Sequence, residues 1–317
     1  MFSLRTLVLA AAVAAFVFVY LHYRRELGAA VARIAAGRSQ IAQTACGPVE
    51  YAMRGDGSAG TLLVLHGAGG GFDQALDLDL GERLTRRGIR VIFVSRFGYL
   101  GTPLPADGSV GAQAKAHACL LDTLGVAKAS VMGISAGGPS ALEFAIRFPE
   151  RCSSLILLVP AVPAGEWAMP RPAPVVEWVR DMVLRSDFAF WLAMKVARNS
   201  LIETVLATPL AVAQGASPEE KARLDRVMSN LLPVSRRRLG LGNDSAVIPS
   251  LRPFDFERIQ APTLAISMED DLYGTARGAK YAAAKIRGAR YVGYPSGGHL
   301  WIGHNEEVFA EVAAFVR

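Results

Sequence analysis

The chain has 317 residues, about half of them apolar and a fifth charged, with a formal net charge of +6; this is the composition of a globular protein with a sizeable core. The charge does not indicate nucleic-acid binding, because the basic residues are scattered in small clusters (Arg24-Arg25, Arg86-Arg87, Arg236-Arg237-Arg238) with no recognised binding motif beside them. Three cysteines, Cys46, Cys119 and Cys152, are too few and too irregular for a disulfide framework or a zinc site. Cys119 and Cys152 read as small core residues, compatible with a reducing compartment.

The first informative segment is the uncharged run Thr6 to Leu21, TLVLAAAVAAFVFVYL, with Tyr20 and Tyr23 at its C-terminal edge. With its flanks it is just long enough to span a bilayer, so a transmembrane anchor is expected over residues 4–23. A cleaved signal peptide is the rival reading. The run continues through Phe16 to Val19 after its alanines and ends in Tyr-Arg-Arg, where small residues should precede a cleavage site. Arg24, Arg25, Arg33 and Arg38 follow the span, against Arg5 before it. Since positive residues stay inside, the globular part is expected to face the cytoplasm, with an extracytoplasmic placement as the alternative. Residues 24–47 carry a helical pattern that ends in a polar stretch, read as a stalk or linker.

From residue 48 the pattern becomes that of an α/β domain. Short runs rich in Val, Ile and Leu recur at 61–65, 89–94, 130–134, 155–159, 263–267 and 289–293, as expected of strands buried on both faces of a mostly parallel sheet. Helical stretches such as 111–124 and 136–148 lie between them. The alternation stops between 161 and 256, where a helical pattern carries Trp167, Trp178 and Trp191 with Phe188 and Phe190. This interval is expected to be a helical cap whose apolar underside shapes a pocket. The core is then 48–160 and 257–317.

Chemistry concentrates at the strand ends. Gly133-Ile134-Ser135-Ala136-Gly137 joins the strand ending at Ile134 to a helix, the setting of a nucleophile elbow. A sharp turn there strains the serine backbone and leaves no room for side chains two residues to either side. Ser135 is therefore the candidate nucleophile. His66-Gly67-Ala68-Gly69-Gly70-Gly71 follows the 61–65 strand, and its N–H groups are candidates to stabilise an oxyanion, a role in which losing one donor costs about 3 kcal/mol. The N–H groups of Ala68 and Ala136 are the expected pair, with Gly69 the alternative to Ala68. His66 reads as a loop brace.

A serine nucleophile needs a general base, and the base an orienting acid. Of the five histidines, His22 sits at the membrane edge, His66 in the glycine loop, His117 in a helical run and His304 before the last helix. His299, directly after the last strand, is the candidate base. The acid lies among Glu269, Asp270 and Asp271, which spacing alone does not separate.

Motifs and order, His66-Gly67, then Gly133 to Gly137, then Glu269-Asp270-Asp271, then Gly298-His299, resemble those of the α/β-hydrolase superfamily from about residue 48 to the C-terminus. The resemblance implies an α/β fold with a mostly parallel central sheet flanked by helices. It selects Asp271 as the acid, with Asp270 second, because the family usually ends this strand with Gly-x-x-Asp; here Met268 stands where the glycine is usual. The turn usually reading Asp-x-Arg-Gly-x-Gly is here Ser95-Arg96-Phe97-Gly98-Tyr99, a departure that leaves the bracing of that loop open. A serine at the elbow argues against epoxide or halide chemistry and for carbonyl attack through an acyl-enzyme. With the apolar span and cap, the layout resembles membrane-anchored monoacylglycerol-lipase-like hydrolases, implying an apolar or lipid-like ester substrate and membrane lipid as a partner. Thioesterase, acyltransferase or carbon–carbon hydrolase activity would use the same three residues, and a tethered, non-catalytic binding module is the non-enzymatic alternative. No metal or organic cofactor is implied.

Overall fold

The computed structural model describes residues 3–77, 80–165 and 182–316. The apolar runs form strands, and every residue of three of them, Thr61–Leu65, Ala129–Ile134 and Thr263–Met268, is buried. In chain order the strands are β1 (Gln40–Thr44), β2 (Gly47–Arg54), β3 (Thr61–Leu65), β4 (Arg90–Val94), β5 (Ala129–Ile134), β6 (Cys152–Leu158), β7 (Thr263–Met268) and β8 (Arg290–Tyr294). They make one sheet in the order β1-β2-β4-β3-β5-β6-β7-β8. β1 and β2 pair antiparallel with each other, and β2 with β4; all other pairs are parallel.

Helices α1 (Leu4–Ala36), α2 (Phe72–Asp77), α3 (Leu80–Thr85), α4 (Val110–Thr123) and α5 (Gly138–Arg147) precede a helical insertion. That insertion holds α6 (Asp187–Val196), α7 (Arg198–Thr204), α8 (Leu210–Gly215), α9 (Pro218–Ser229) and α10 (Arg238–Val247); α11 (Thr275–Lys285) and α12 (Asn305–Phe315) follow it. Alternation along each strand sends successive side chains to opposite faces. Leu63, Leu65, Val131 and Leu157 pack with α4, α5 and α11, whereas Leu62, Val64, Met132 and Ile156 pack with the α3 and α12 side.

The six expected strands are all present, with ends shifted by up to three residues. β1 and β2 lie outside the six expected strands, and β1 falls within the span 24–47 expected as a stalk or linker. α1 runs unbroken to Ala36, and the chain enters the sheet at Gln40. Only one residue of β1 is buried, so its sequence carries no core-strand signature; pairing with β2 holds it at the sheet edge. A correction concerns Cys119, which forms a disulfide with Cys46 across 73 residues of sequence. The bridge ties the β1–β2 turn to α4, a pairing that only the approach of these two elements creates. Cys152 is free and buried, as expected of a core residue.

α1 is long and apolar enough to cross a membrane, with a mean hydropathy of 2.2 over a window none of which is buried. At 33 residues it extends about 50 Å, more than a bilayer's hydrocarbon core. Its second half instead docks on the protein: Tyr23, Ala30 and Ile34 are buried, and Glu26 accepts hydrogen bonds from Trp191 Nε1 (2.8 Å) and Lys195 Nζ (2.7 Å) of α6.

Candidate active site

The carboxyl ends of the parallel strands gather the candidate residues, as open α/β sheets do. Ser135 follows β5 with φ = 50°, a left-handed backbone that strains a residue with a side chain. The elbow glycines are required by contact and not by their own conformation, since neither has a positive φ. A Cβ on Gly137 would stand 2.2 Å from the Leu65 carbonyl oxygen, and one on Gly133 would stand 2.7 Å from the Gly138 Cα. The turn therefore forms only where β3, β5 and α5 can approach this closely.

β8 leads into Gly297 and Gly298, both at positive φ, which swing His299 back over the sheet edge. Its Nε2 lies 2.9 Å from Ser135 Oγ and its Nδ1 lies 2.8 Å from Asp271 Oδ2. His299 and Asp271 are both buried. The Asp271 carboxylate also accepts from the Tyr273 N–H (2.8 Å) and from the Thr275 hydroxyl, which in turn lies 2.9 Å from Ser267 Oγ. Asp270, the runner-up, faces elsewhere: its two oxygens accept the N–H groups of Gly297 (3.2 Å) and Gly298 (2.8 Å). It fixes the loop that carries His299. Glu269 pairs at the surface with Lys280.

Gly67 and Ala68 border the same cavity as Ser135. Neither the Ala68 nor the Ala136 N–H takes part in the turn and loop backbone bonds of the described residues. The alternative donor Gly69 is already engaged, its N–H donating to Tyr99 Oη at 3.3 Å. His66 braces the loop. Its Nδ1 donates to the Gly67 carbonyl (2.7 Å) and its Nε2 accepts the Arg96 N–H (3.0 Å). Burial, with Arg96 nearby, holds its pKa well below the usual histidine value, so it remains neutral and keeps both bonds.

The SRFGY turn replaces one bracing scheme with another. Arg96 is buried and makes a bidentate pair with Asp244 of α10 (2.9 and 2.6 Å), while its Nε donates to the His66 carbonyl (2.8 Å). Burial opposes the Arg96 charge, but the Asp244 carboxylate outweighs it and raises the guanidinium pKa. Arg237, in the basic cluster noted in the sequence, is not a surface charge. It is fully buried, pairs bidentately with Asp73 (3.1 and 2.7 Å) and donates to the Gly70 carbonyl (2.6 Å). The two partners of each pair are distant in sequence, and no local pattern marks them.

The cavity over Ser135 and His299 is walled by Val159, Val205, Leu206, Val227, Leu231 and Trp301. Four of these come from the helical insertion, so its underside does face the site. The aromatic contribution is corrected. Trp191 is buried against Tyr23 of α1 and Phe188, and the wall of the cavity is mainly aliphatic. Trp167 and Trp178 lie outside the described residues. Tyr273 joins insertion to core, packing edge-on against the His299 ring and donating its hydroxyl to the Val205 carbonyl (3.0 Å). Among the described residues no group of three or more His, Cys, Asp or Glu side chains is placed to hold a metal ion.

The alpha/beta hydrolase fold family matches residues 60–303, and the protein belongs to that family. It is 29% identical to the uncharacterized hydrolase YcgS of Bacillus subtilis over 272 residues, covering 81% of this chain and 90% of the relative. An alpha/beta hydrolase fold protein from Nakamurella multipartita is similar in structure, with a TM-score of 0.66 and 27% identity over 87% of this chain and 98% of that one. A bacterial membrane phospholipase A, described as a virulence factor, shares the fold with a TM-score of 0.66 at 24% identity; the match covers 98% of this chain and 96% of that one.

Proposed function

We propose that this hydrolase-family protein is a serine esterase acting on apolar or lipid-like acyl esters. The observation that carries the reading is the unbroken chain from Asp271 through His299 to Ser135, at 2.8 and 2.9 Å, opening on an aliphatic cavity. His299 Nε2 removes the Ser135 proton as Oγ attacks the ester carbonyl, and Asp271 holds the imidazole through Nδ1. Charge developing on the carbonyl oxygen is met by the Ala68 and Ala136 N–H groups. The alcohol leaves with the proton from His299. Water then attacks the acyl-enzyme with His299 again as base, releasing the acid and restoring the Ser135 hydroxyl.

The cavity wall favours an apolar acyl chain, because burying each methylene contributes about 0.8 kcal/mol. α1 supports attachment to a membrane, where such substrates concentrate. The Cys46–Cys119 bridge fits an oxidising compartment. It favours placing the globular part on the extracytoplasmic side, against the cytoplasmic placement expected from the flanking arginines.

The test is labelling with a fluorophosphonate, followed by a chain-length series of p-nitrophenyl esters. The wild type is expected to label and to prefer octanoyl over acetyl, and Ser135→Ala to lose both labelling and turnover. Labelling that survives in Ser135→Ala overturns the serine assignment, and a preference for acetyl overturns the lipid-like substrate.

A further inference from the structure

The glycine loop that carries Ala68 is held at both ends by buried guanidinium groups. On one side Arg96 Nε donates to the His66 carbonyl, and on the other Arg237 Nη1 donates to the Gly70 carbonyl. Between them, Tyr99 Oη accepts the Gly69 N–H (3.3 Å) while donating to Asp244 Oδ2 (2.6 Å). Burial and the neighbouring carboxylate raise the Tyr99 pKa well above its ordinary value, so this hydroxyl remains a donor.

Two of the holding groups belong to the helical insertion: Asp244 lies within α10 and Arg237 immediately precedes it. α10 also sits directly on the SRFGY turn. The Gly240 N–H donates to the Gly98 carbonyl at 2.9 Å, and a Cβ on Gly240 would stand 2.2 Å from the Tyr99 ring. Buried ion pairs are weak sources of net stability, because desolvation offsets most of the attraction. Two such pairs flanking one short loop, each with a further N–H on a carbonyl of that loop, are better explained by geometry. An oxyanion donor displaced by about 1 Å loses much of its effect.

We propose that α10 clamps the oxyanion loop, with Arg237 and the Arg96–Asp244–Tyr99 set as positioning residues that aim the Ala68 N–H. The insertion then contributes to transition-state stabilisation as well as to the pocket wall. This rests on the Ser135 reading above and assigns it a mechanical support.

The test uses the full chain in detergent, with variants Tyr99→Phe, Arg237→Lys and the double variant Asp73→Leu with Arg237→Met. The double variant replaces the ion pair by apolar groups, a change that buried pairs tolerate. It keeps the proposal testable where a single variant fails to fold. For each, kcat and KM on p-nitrophenyl butyrate are measured together with inhibition by a trifluoromethyl ketone. Ser135 Oγ adds to that ketone, its proton passes to His299, and the former carbonyl oxygen becomes an oxyanion. Each folded variant is expected to lose about tenfold or more in kcat with KM changed less than about threefold, and to bind the ketone more weakly by the same factor. Folded variants that keep kcat and ketone affinity within about threefold of the wild type overturn the clamp, as does a loss confined to KM. A wild type that neither labels nor turns over overturns the Ser135 reading instead.

Discussion

Asp271 illustrates how much one side chain depends on its neighbours. Its buried carboxylate receives the His299 imidazole, the Tyr273 N–H and the Thr275 hydroxyl. Thr275 opens α11, so the helix start delivers a hydroxyl to the candidate acid. A hydrogen bond to a charged group contributes about 1.5–3 kcal/mol, and Thr275→Val removes it while keeping the side-chain shape. That variant is expected to lower kcat about tenfold with little change in KM, with Thr275→Ser recovering most of the rate; steady-state kinetics on the three proteins check this. Asp270 and Asp271 are adjacent acids in one turn, yet one holds the His299 loop by its backbone and the other holds the ring. Their sequence context is nearly the same, and resemblance rather than spacing separated them. Only the direction each side chain takes, set by where β7 ends against β8, gives a physical reason.

At the scale of elements, the antiparallel β1–β2 edge is not legible in the sequence because its strands are partly exposed and carry no continuous apolar run. The disulfide ties down the β1 end of this edge, where only one strand residue is buried. Closing a loop of 73 residues restricts the unfolded chain by an amount worth about 4 kcal/mol. Denaturant titrations with and without reductant should show a loss of that order, and Cys46→Ser with Cys119→Ser should reproduce it without reductant. An unchanged midpoint would count against the bridge. The helical insertion was legible as an interruption of the strand–helix alternation, whereas its attachments were not. Arg96 and Asp244 are 148 residues apart, and Arg237 and Asp73 are 164 apart. Each is an ordinary surface-type charge until folding buries the pair.

Across the whole molecule, two buried histidines link stability to pH. His117 is buried in α4 with neither ring nitrogen bonded, and burial, with Arg96 second, pushes its pKa down to about 3. His66 is lowered in the same direction by burial and Arg96. In the unfolded chain both return toward the ordinary histidine value near 6.5. The stability tied to their neutral forms is therefore complete above about pH 6.5 and is lost as pH falls toward the folded values. Urea titrations at about pH 7.5 and pH 4.5 are expected to show a fall to which His117 alone contributes on the order of 2 kcal/mol. His117→Leu should flatten that part of the dependence. A slope unchanged in the variant would assign the pH sensitivity to other groups.

What the sequence determined by itself was whatever a few contiguous residues control. The alternating apolar runs predicted the central sheet, the GxSxG turn between a strand and a helix placed Ser135, and the position of His299 after the last strand set it apart from the other histidines. These depend on local backbone geometry and on patterns that survive in one dimension. The tertiary structure alone gives the physical reason that Asp271 and not Asp270 meets His299, and it alone decides which loop N–H groups are already bonded and where Arg237 and Cys46 find partners. Those choices depend on distances between segments far apart in the chain. For Ser135 this means that the candidate nucleophile is legible from its own turn, while the side chains that surround it come from four strand ends and the helical insertion.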